Sequence, residues 1–77
     1  MEIEYSYHAK TEIAKRELSK SQIEDVLKGP DKILDGKDGR KIAQKVIGKY
    51  LLRVIYEKEG NAYKVITAYY SKPERYG

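Results

Sequence analysis

The sequence contains no cysteine and a single histidine, His8. Without cysteine, the chain has neither disulfide bonds nor thiolate ligands for a metal ion. A structural zinc site uses several Cys or His side chains, and one histidine alone leaves such a site short of ligands. The sequence therefore predicts no bound metal and no cofactor.

Phenylalanine and tryptophan are also missing, so all eight large aromatic residues are tyrosine. A tyrosine ring packs like other aromatic rings, but its hydroxyl needs a hydrogen-bond partner or water. Tyrosine therefore suits half-buried positions and surfaces on which nucleotide bases stack. We expect most of these rings to pack in the core.

Long apolar runs are absent as well. No run approaches the length of a membrane span, and the N-terminus lacks the pattern of a signal peptide. The length of 77 residues is that of one domain. We therefore expect a single soluble domain over residues 1–77, located in the cytoplasm and without membrane association.

Positive charge is in excess, with 16 Lys and Arg against 12 Asp and Glu and a formal net charge of +4. Such an excess on a small domain favours anionic partners, for example nucleic acid or an acidic protein. The alternative is a solvated surface of mixed sign, and charge alone does not separate the two.

The first half of the chain carries signals for two helices. Ser6 is a suitable N-cap for a helix from Tyr7 to about Glu17. Ser19 and Gln22 fit a capping box at the start of a second helix, which Gly29-Pro30 ends. The first seven residues alternate between apolar and polar, which fits either a short edge strand or a lead-in to the first helix.

The second half reads as strands separated by polar, glycine-containing turns. The predicted fold class is α+β, with two N-terminal helices packed on a four-stranded antiparallel meander. Pro73, in the polar segment 71–77, argues against further strand pairing there. The four strands are expected at Lys32–Asp35, Arg40–Ile47, Tyr50–Tyr56 and Ala62–Tyr70.

Turn chemistry predicts the register of one hairpin but leaves the other open. A two-residue turn at Gly48-Lys49 would place Gln44 opposite Arg53. In the last hairpin, an even-length loop would place Thr67 and Tyr69 on the face of Leu52. An odd-length loop or a β-bulge would instead place them beside Arg53.

Arg53 is the first candidate for a functional residue, because it lies in the middle of an apolar strand. A charge there is unfavourable unless it is paired or serves a site, and a buried ion pair explains it as well as a function does. Guanidinium groups bind phosphate, so Arg16 and Arg40 could act with Arg53, or they could be solvated surface charges. Lys45 could extend a phosphate-binding strip or simply aid solubility.

His8 lies in the first turn of the predicted first helix. The exposed N–H groups at a helix start favour a neutral imidazole, which is the form that acts as a general base. A surface or capping histidine is the alternative interpretation. Tyr69 and Tyr70 are consecutive in a strand, so their rings point to opposite faces, and one of them can stack or donate a proton.

The order of short motifs resembles a family of small bacterial and phage domains that was first catalogued as a domain of unknown function. The family pattern runs His-Ala-x-x-Arg, Arg-Gly-Ile-Ser, Leu-x-Val-x-Tyr and Val-Ile-Thr-x-Tyr, and the similarity covers roughly residues 7 to 72. The matching segments are His8-Ala9, Arg16-Glu-Leu-Ser19, Gly29-Pro30, Gly39-Arg40, Leu52-Arg-Val-Ile-Tyr56 and Val65-Ile-Thr-Ala-Tyr69. One position departs from the pattern, since Glu12 stands where the family has Arg.

That family is distantly similar to BrnT-type and RelE-type toxins, the metal-independent ribonucleases of toxin–antitoxin pairs. The resemblance implies a RelE-like or BrnT-like fold, RNA as the partner and an antitoxin protein as a second partner. It also implies scattered catalytic residues, at His8, Arg16, Arg53, Thr67 and Tyr69. The residues that we predict to bind RNA are Arg40, Lys45 and Lys72. A non-catalytic basic module for nucleic acid or an acidic partner is the alternative function.

Overall fold

The structure is a computed structural model that describes residues 1–72, so the predicted effect of Pro73 lies outside the described residues. Within residues 1–72, two helices follow a short first strand, and four further strands come after the helices. No helix among the described residues is long and apolar enough to cross a membrane. In chain order the elements are β1 (Glu2–Tyr5), α1 (Tyr7–Lys15), α2 (Lys20–Lys28), β2 (Lys32–Asp35), a 3₁₀ turn (Lys37–Gly39), β3 (Lys41–Ile47), β4 (Tyr50–Glu59) and β5 (Ala62–Ser71).

Both predicted helix starts are confirmed by hydrogen bonds. The Ser6 hydroxyl accepts a 3.0 Å bond from the N–H of Ala9 at the start of α1. At the start of α2, Ser19 and Gln22 form the reciprocal capping box, with bonds of 3.1 and 3.3 Å. The second helix ends at Lys28, with Gly29 as its C-cap, as its sequence predicts.

Helix α1 ends two residues earlier than predicted. Glu17 adopts a left-handed conformation with φ of +56°, so the helix cannot continue through it. The N–H of Glu17 bonds the carbonyl of Ala14, and the N–H of Leu18 bonds that of Ile13. This is the Schellman pattern of a helix end, and the buried side chains of Leu18 and Ile13 supply its usual apolar contact. Arg16 is left at the C-cap, where it can turn toward the sheet.

The sheet has five strands in the order β1-β5-β4-β3-β2. The prediction of a four-stranded, wholly antiparallel sheet is therefore wrong, because it lacks β1. The meander from β2 to β5 is antiparallel as predicted. The alternating N-terminal segment forms a fifth strand, β1, which pairs in parallel with the first part of β5. Parallel strands are far apart in sequence and are not joined by a hairpin, so no turn residues predict their pairing.

The helices cover one face of the sheet and leave the other without them. The core lies between the helices and the covered face, around the fully buried side chains of Ile23, Val26, Leu52, Val54 and Val65. Strand alternation places the neighbouring residues on the opposite face, which we call the open face. Its main residues on the three central strands are Ile42, Gln44, Val46, Leu51, Arg53, Ile55, Thr67 and Tyr69.

Two hairpin turns and one bulge fix which side chains share the open face. Gly48 has a φ of +62°, and Gln44 pairs with Arg53, as the Gly48-Lys49 turn predicts. The last hairpin has an even, two-residue loop at Gly60-Asn61, yet the register shifts between Ile55 and Tyr56. Tyr56 pairs with Val65 and Ile55 with Thr67, so Ile66 is the extra residue of a β-bulge. Of the two alternatives, the bulge therefore applies.

Candidate functional site

Arg53 and Tyr69 are opposite each other on the open face, in neighbouring strands. The guanidinium donates a 2.8 Å hydrogen bond to the phenol oxygen, and it lies 5.7 Å from the centre of the ring. Arg53 lies on the face without helices, yet only 6% of the residue is exposed, so its charge is largely enclosed. Arg53 therefore does not present an accessible head group, and Tyr69 lies against its guanidinium.

Arg16 reaches from the end of α1 to the edge of β5. Its Nη1 donates a 2.9 Å bond to the carbonyl of Ala68 and lies 3.4 Å from the hydroxyl of Thr67. Strand β1 pairs only with residues 62–65 of β5, so this carbonyl lies beyond the parallel pairing. Arg16 therefore satisfies a backbone acceptor at the sheet edge, and the same bond fixes the direction of its guanidinium.

His8 and Arg16 are linked through Glu12, which lies between them on α1. Residues four apart share one side of a helix, so His8, Glu12 and Arg16 form a row. The imidazole Nε2 is 3.9 Å from one carboxylate oxygen of Glu12, and Nη2 of Arg16 is 3.6 Å from the other. Both distances exceed those of ordinary hydrogen bonds, and the contact of His8 is an ion pair only when its imidazole is protonated. The His8 side chain is 63% exposed and that of Glu12 only 20%.

Four of the five residues that the resemblance marks as catalytic thus lie on or beside the second half of β5, and His8 is linked to them through Glu12. Thr67 and Tyr69 are two residues apart on the same face of this strand, at a spacing of about 7 Å. Thr67 contacts the row on α1, and Tyr69 contacts Arg53. We call the set formed by His8, Glu12, Arg16, Arg53, Thr67 and Tyr69 the candidate site.

The three residues predicted to bind RNA lie outside this set. Arg40 forms a 3.0 Å ion pair with Glu57 at the far end of β3 and β4. Lys45 lies on the helix-covered face and donates a 2.9 Å bond to the carbonyl of Gly29, at the end of α2. Lys72 is exposed just beyond β5. The ion pair engages the charge of Arg40, and Lys45 is directed away from the open face.

A shallow pocket near Lys72 has no counterpart in the predictions from sequence. It has a volume of about 310 Å³ and is lined by Tyr50, Tyr70, Ser71 and Lys72. The two rings lie 5.9 Å apart at an angle of 59°, and both are exposed. Tyr70 points to the face opposite Tyr69, as expected for consecutive strand residues. The contact between the rings of Tyr50 and Tyr70 depends on the bulge, which places Tyr70 opposite Leu52 and on the face of Tyr50.

Glu12 is the residue of the candidate site that the sequence interpretation missed. Its carboxylate resembles ordinary helix-surface charge, and it replaces an Arg of the family pattern. The spacing of four residues on either side, to His8 and to Arg16, is the signal that could have identified it. Among residues 1–72, no group of three or more His, Asp or Glu side chains is arranged to hold a metal ion.

In a comparison with known protein families, residues 5–70 match a domain of unknown function (DUF4258). No curated protein and no solved structure shows a significant match to the chain. The matched segment includes β1 from Tyr5, both helices and nearly all of β5, so it contains the whole candidate site. Since the match covers most of the sequence, the chain belongs to the DUF4258 family.

Proposed function

We propose that this domain is a toxin-like ribonuclease that cleaves RNA without a metal ion. In the proposed reaction, a ribose 2′-oxygen forms a bond to the adjacent phosphorus while the bond to the 5′-oxygen breaks. A base removes the proton of the 2′-hydroxyl, an acid protonates the departing 5′-oxygen, and cations stabilise the charge on the phosphate. The products are a 2′,3′-cyclic phosphate and a free 5′-hydroxyl.

One observation carries the proposal, namely that two guanidinium groups and a phenol lie along the second half of β5, with the imidazole linked to one of the guanidinium groups through Glu12. His8 and Arg16 lie on either side of Glu12, and Arg16 also reaches Thr67. Tyr69 lies on the same strand and accepts a hydrogen bond from Arg53. These are the side chains that such a reaction requires, and they come from α1, β4 and β5.

The roles follow from exposure and bonding. His8 is exposed enough to reach the substrate, so it is the proton-transfer group. Arg16 has one nitrogen fixed by Ala68 and presents the other to an anion. A phenol that accepts a bond from a guanidinium is polarised as a donor, so Tyr69 donates to the phosphate or to the leaving oxygen. Arg53 is enclosed, and we assign it as a positioning residue for Tyr69.

The proposal includes the similarity to BrnT-type and RelE-type toxins that the sequence motifs imply. With that similarity come RNA as the substrate, the cytoplasm as the location and an antitoxin protein as a second partner. Lys72 and the tyrosine pocket beside it are available for further RNA contacts at the same end of β5. Arg40 and Lys45 contribute through the overall positive charge.

The second candidate is a non-catalytic module that binds nucleic acid or an acidic partner. It is favoured by the hydrogen bonds that the two arginines make within the domain. Arg16 donates to the carbonyl of Ala68, and Arg53 donates to the hydroxyl of Tyr69. A purely structural arginine would make such bonds. The two functions differ in one property, because only the ribonuclease breaks the RNA chain.

The test is incubation of a mixed RNA with the purified domain in the presence of EDTA. We expect cleavage that leaves cyclic phosphate ends. His8→Gln should lower the rate by roughly 10²–10⁴-fold, because glutamine cannot exchange a proton in this way. Lys10→Gln is the matched control, since Lys10 is also exposed on α1 but points to another side of the helix. RNA binding without any cleavage would leave the second candidate.

A further inference from the structure

The side chain of Glu12 lies where an anion would bind between His8 and Arg16. Its two carboxylate oxygens are directed to different partners, one toward the imidazole and one toward the guanidinium, at 3.9 and 3.6 Å. The flanking groups are more exposed than the carboxylate between them, with side-chain exposures of 63% and 41% against 20%. The space between the two nitrogen-bearing groups, which we call the gap, is therefore occupied by an acid from the chain itself.

Arg16 is prepared for an anion by its other contact. The bond from Nη1 to the carbonyl of Ala68 holds the plane of the guanidinium, so that Nη2 faces the gap. A guanidinium presents parallel donors to the oxygens of a carboxylate or a phosphate, and the two anions are interchangeable for it. The hydroxyl of Thr67 accepts a further, 3.4 Å hydrogen bond from the same Nη1 and so helps to hold the guanidinium in place.

We propose that the gap between His8 and Arg16 is a phosphate-binding site, which Glu12 occupies when no RNA is bound. Glu12 is then an internal competitor that a phosphate group of RNA must displace. This inference rests on the proposed function where it names RNA as the source of the phosphate. The phosphate site itself rests on the geometry of the three side chains.

The contacts of Glu12 are weak enough for this exchange. Ion pairs between exposed side chains contribute at most about 1 kcal/mol, and neither contact here has hydrogen-bond length. The side chain of Glu12 starts from a helix surface, so rotation about its own bonds moves the carboxylate away without disturbing the backbone. An incoming phosphate competes with the carboxylate for Arg16 and is also repelled by it while both are near. Removing the charge of Glu12 removes both effects.

The experiment measures the binding of a short 2′-O-methyl RNA, which cannot undergo attack by its own 2′-oxygen, by fluorescence anisotropy. We expect Glu12→Gln to bind about five- to thirtyfold more tightly than the unmodified domain, since each effect is near 1 kcal/mol. Asp25→Asn is the matched control, because it removes one negative charge from an exposed position on α2. It should change the affinity by less than about twofold.

A second measurement locates the effect. Titration with inorganic phosphate should shift the NMR signals of the His8 ring and the Arg16 side chain, and it should do so at lower phosphate concentration in Glu12→Gln. Combining Glu12→Gln with Arg16→Met should abolish the gain in RNA affinity. If Arg16→Met fails to fold, His8→Gln with Glu12→Gln provides the same test, because both changes lie on the surface of α1.

The outcomes separate this inference from the proposed ribonuclease. Equal affinity of Glu12→Gln and the unmodified domain, or a gain no larger than that of Asp25→Asn, would overturn the phosphate site even if RNA is cleaved. Loss of cleavage in Glu12→Gln with unchanged binding would make Glu12 a base instead, which also overturns the inference. Conversely, phosphate-dependent shifts of His8 and Arg16 without RNA cleavage would support the site while the ribonuclease fails.

Discussion

Arg53 and Tyr69 are joined by a 2.8 Å hydrogen bond across the centre of the sheet, where only 6% of the arginine is exposed. We predict that Tyr69→Phe lowers the free energy of unfolding by about 1.5–3 kcal/mol, since a bond to a charged donor is lost and the ring is kept. A double-mutant cycle with Arg53→Met, followed by urea unfolding, measures the coupling. Additive effects of the two changes would show that the bond contributes nothing.

A β-bulge at Ile66 places Thr67 and Tyr69 on the open face. Deletion of Ile66 would remove the extra residue, so that Val65 is followed directly by Thr67, with Thr67 still opposite Ile55 and on the open face. We therefore predict that the deletion variant folds, as judged by circular dichroism. Ile66→Ala is the control, because it removes a half-buried side chain but keeps the bulge, and it should also remain folded. Loss of the fold on deletion, with Ile66→Ala still folded, would contradict the assignment of Ile66 as the extra residue.

The sequence was sufficient for those parts of the fold that local chemistry determines. Ser6, Ser19 and Gln22 marked the helix starts, and Gly48 fixed the pairing of Gln44 with Arg53. The N-terminal alternation allowed an edge strand, but the partner of β1 could not be assigned, because it lies about sixty residues away in β5 and no local residue signals a parallel contact. The family motifs identified most of the candidate site, but not its geometry.

The arrangement of the site depends on two backbone features that sequence patterns do not specify. The side of the sheet that Thr67 and Tyr69 occupy depends on the bulge, and Ile66 is an ordinary strand residue. The reach of Arg16 to Ala68 depends on the left-handed Glu17, at a position where helix ends usually have glycine. Each feature results from packing over the whole domain, so the residues alone do not reveal it.

Glu17 adopts a φ of +56° at the end of α1, although it has a side chain. A left-handed conformation is unfavourable for residues other than glycine, by roughly 1–2 kcal/mol. We predict that Glu17→Gly raises the free energy of unfolding by about 0.5–1 kcal/mol, because part of the gain is offset by the greater freedom of glycine in the unfolded chain. Lys15→Gly, inside the last turn of the helix, is the matched control and should lower it by about 1 kcal/mol. Urea unfolding measures both, and a loss of stability in Glu17→Gly would refute the prediction.

Tyr5 has a hydroxyl that is buried without a hydrogen-bond partner among the described residues. Its ring packs against the core from β1, and Lys20 lies 5.1 Å from the ring centre. We predict that Tyr5→Phe raises the free energy of unfolding at neutral pH by about 1 kcal/mol, because it removes an unsatisfied polar group and keeps both contacts of the ring. Thermal or urea unfolding against Tyr7→Phe, whose ring is largely exposed, provides the comparison.

The same substitution should change how stability depends on alkaline pH. Burial, and secondarily the carboxylate of Glu24, raise the pKa of Tyr5 in the folded domain above its usual value of 10.0. Above about pH 10 the unfolded chain therefore releases the phenolic proton while the folded domain still holds it, and the free energy of unfolding falls as pH rises. Tyr5→Phe lacks this phenol, so its free energy of unfolding should fall less steeply between about pH 9 and 11. This is roughly the interval in which the phenol titrates in the unfolded chain. Tyr7→Phe should keep the slope of the unmodified domain. Parallel slopes for all three proteins would show that the hydroxyl of Tyr5 is hydrated in the folded state.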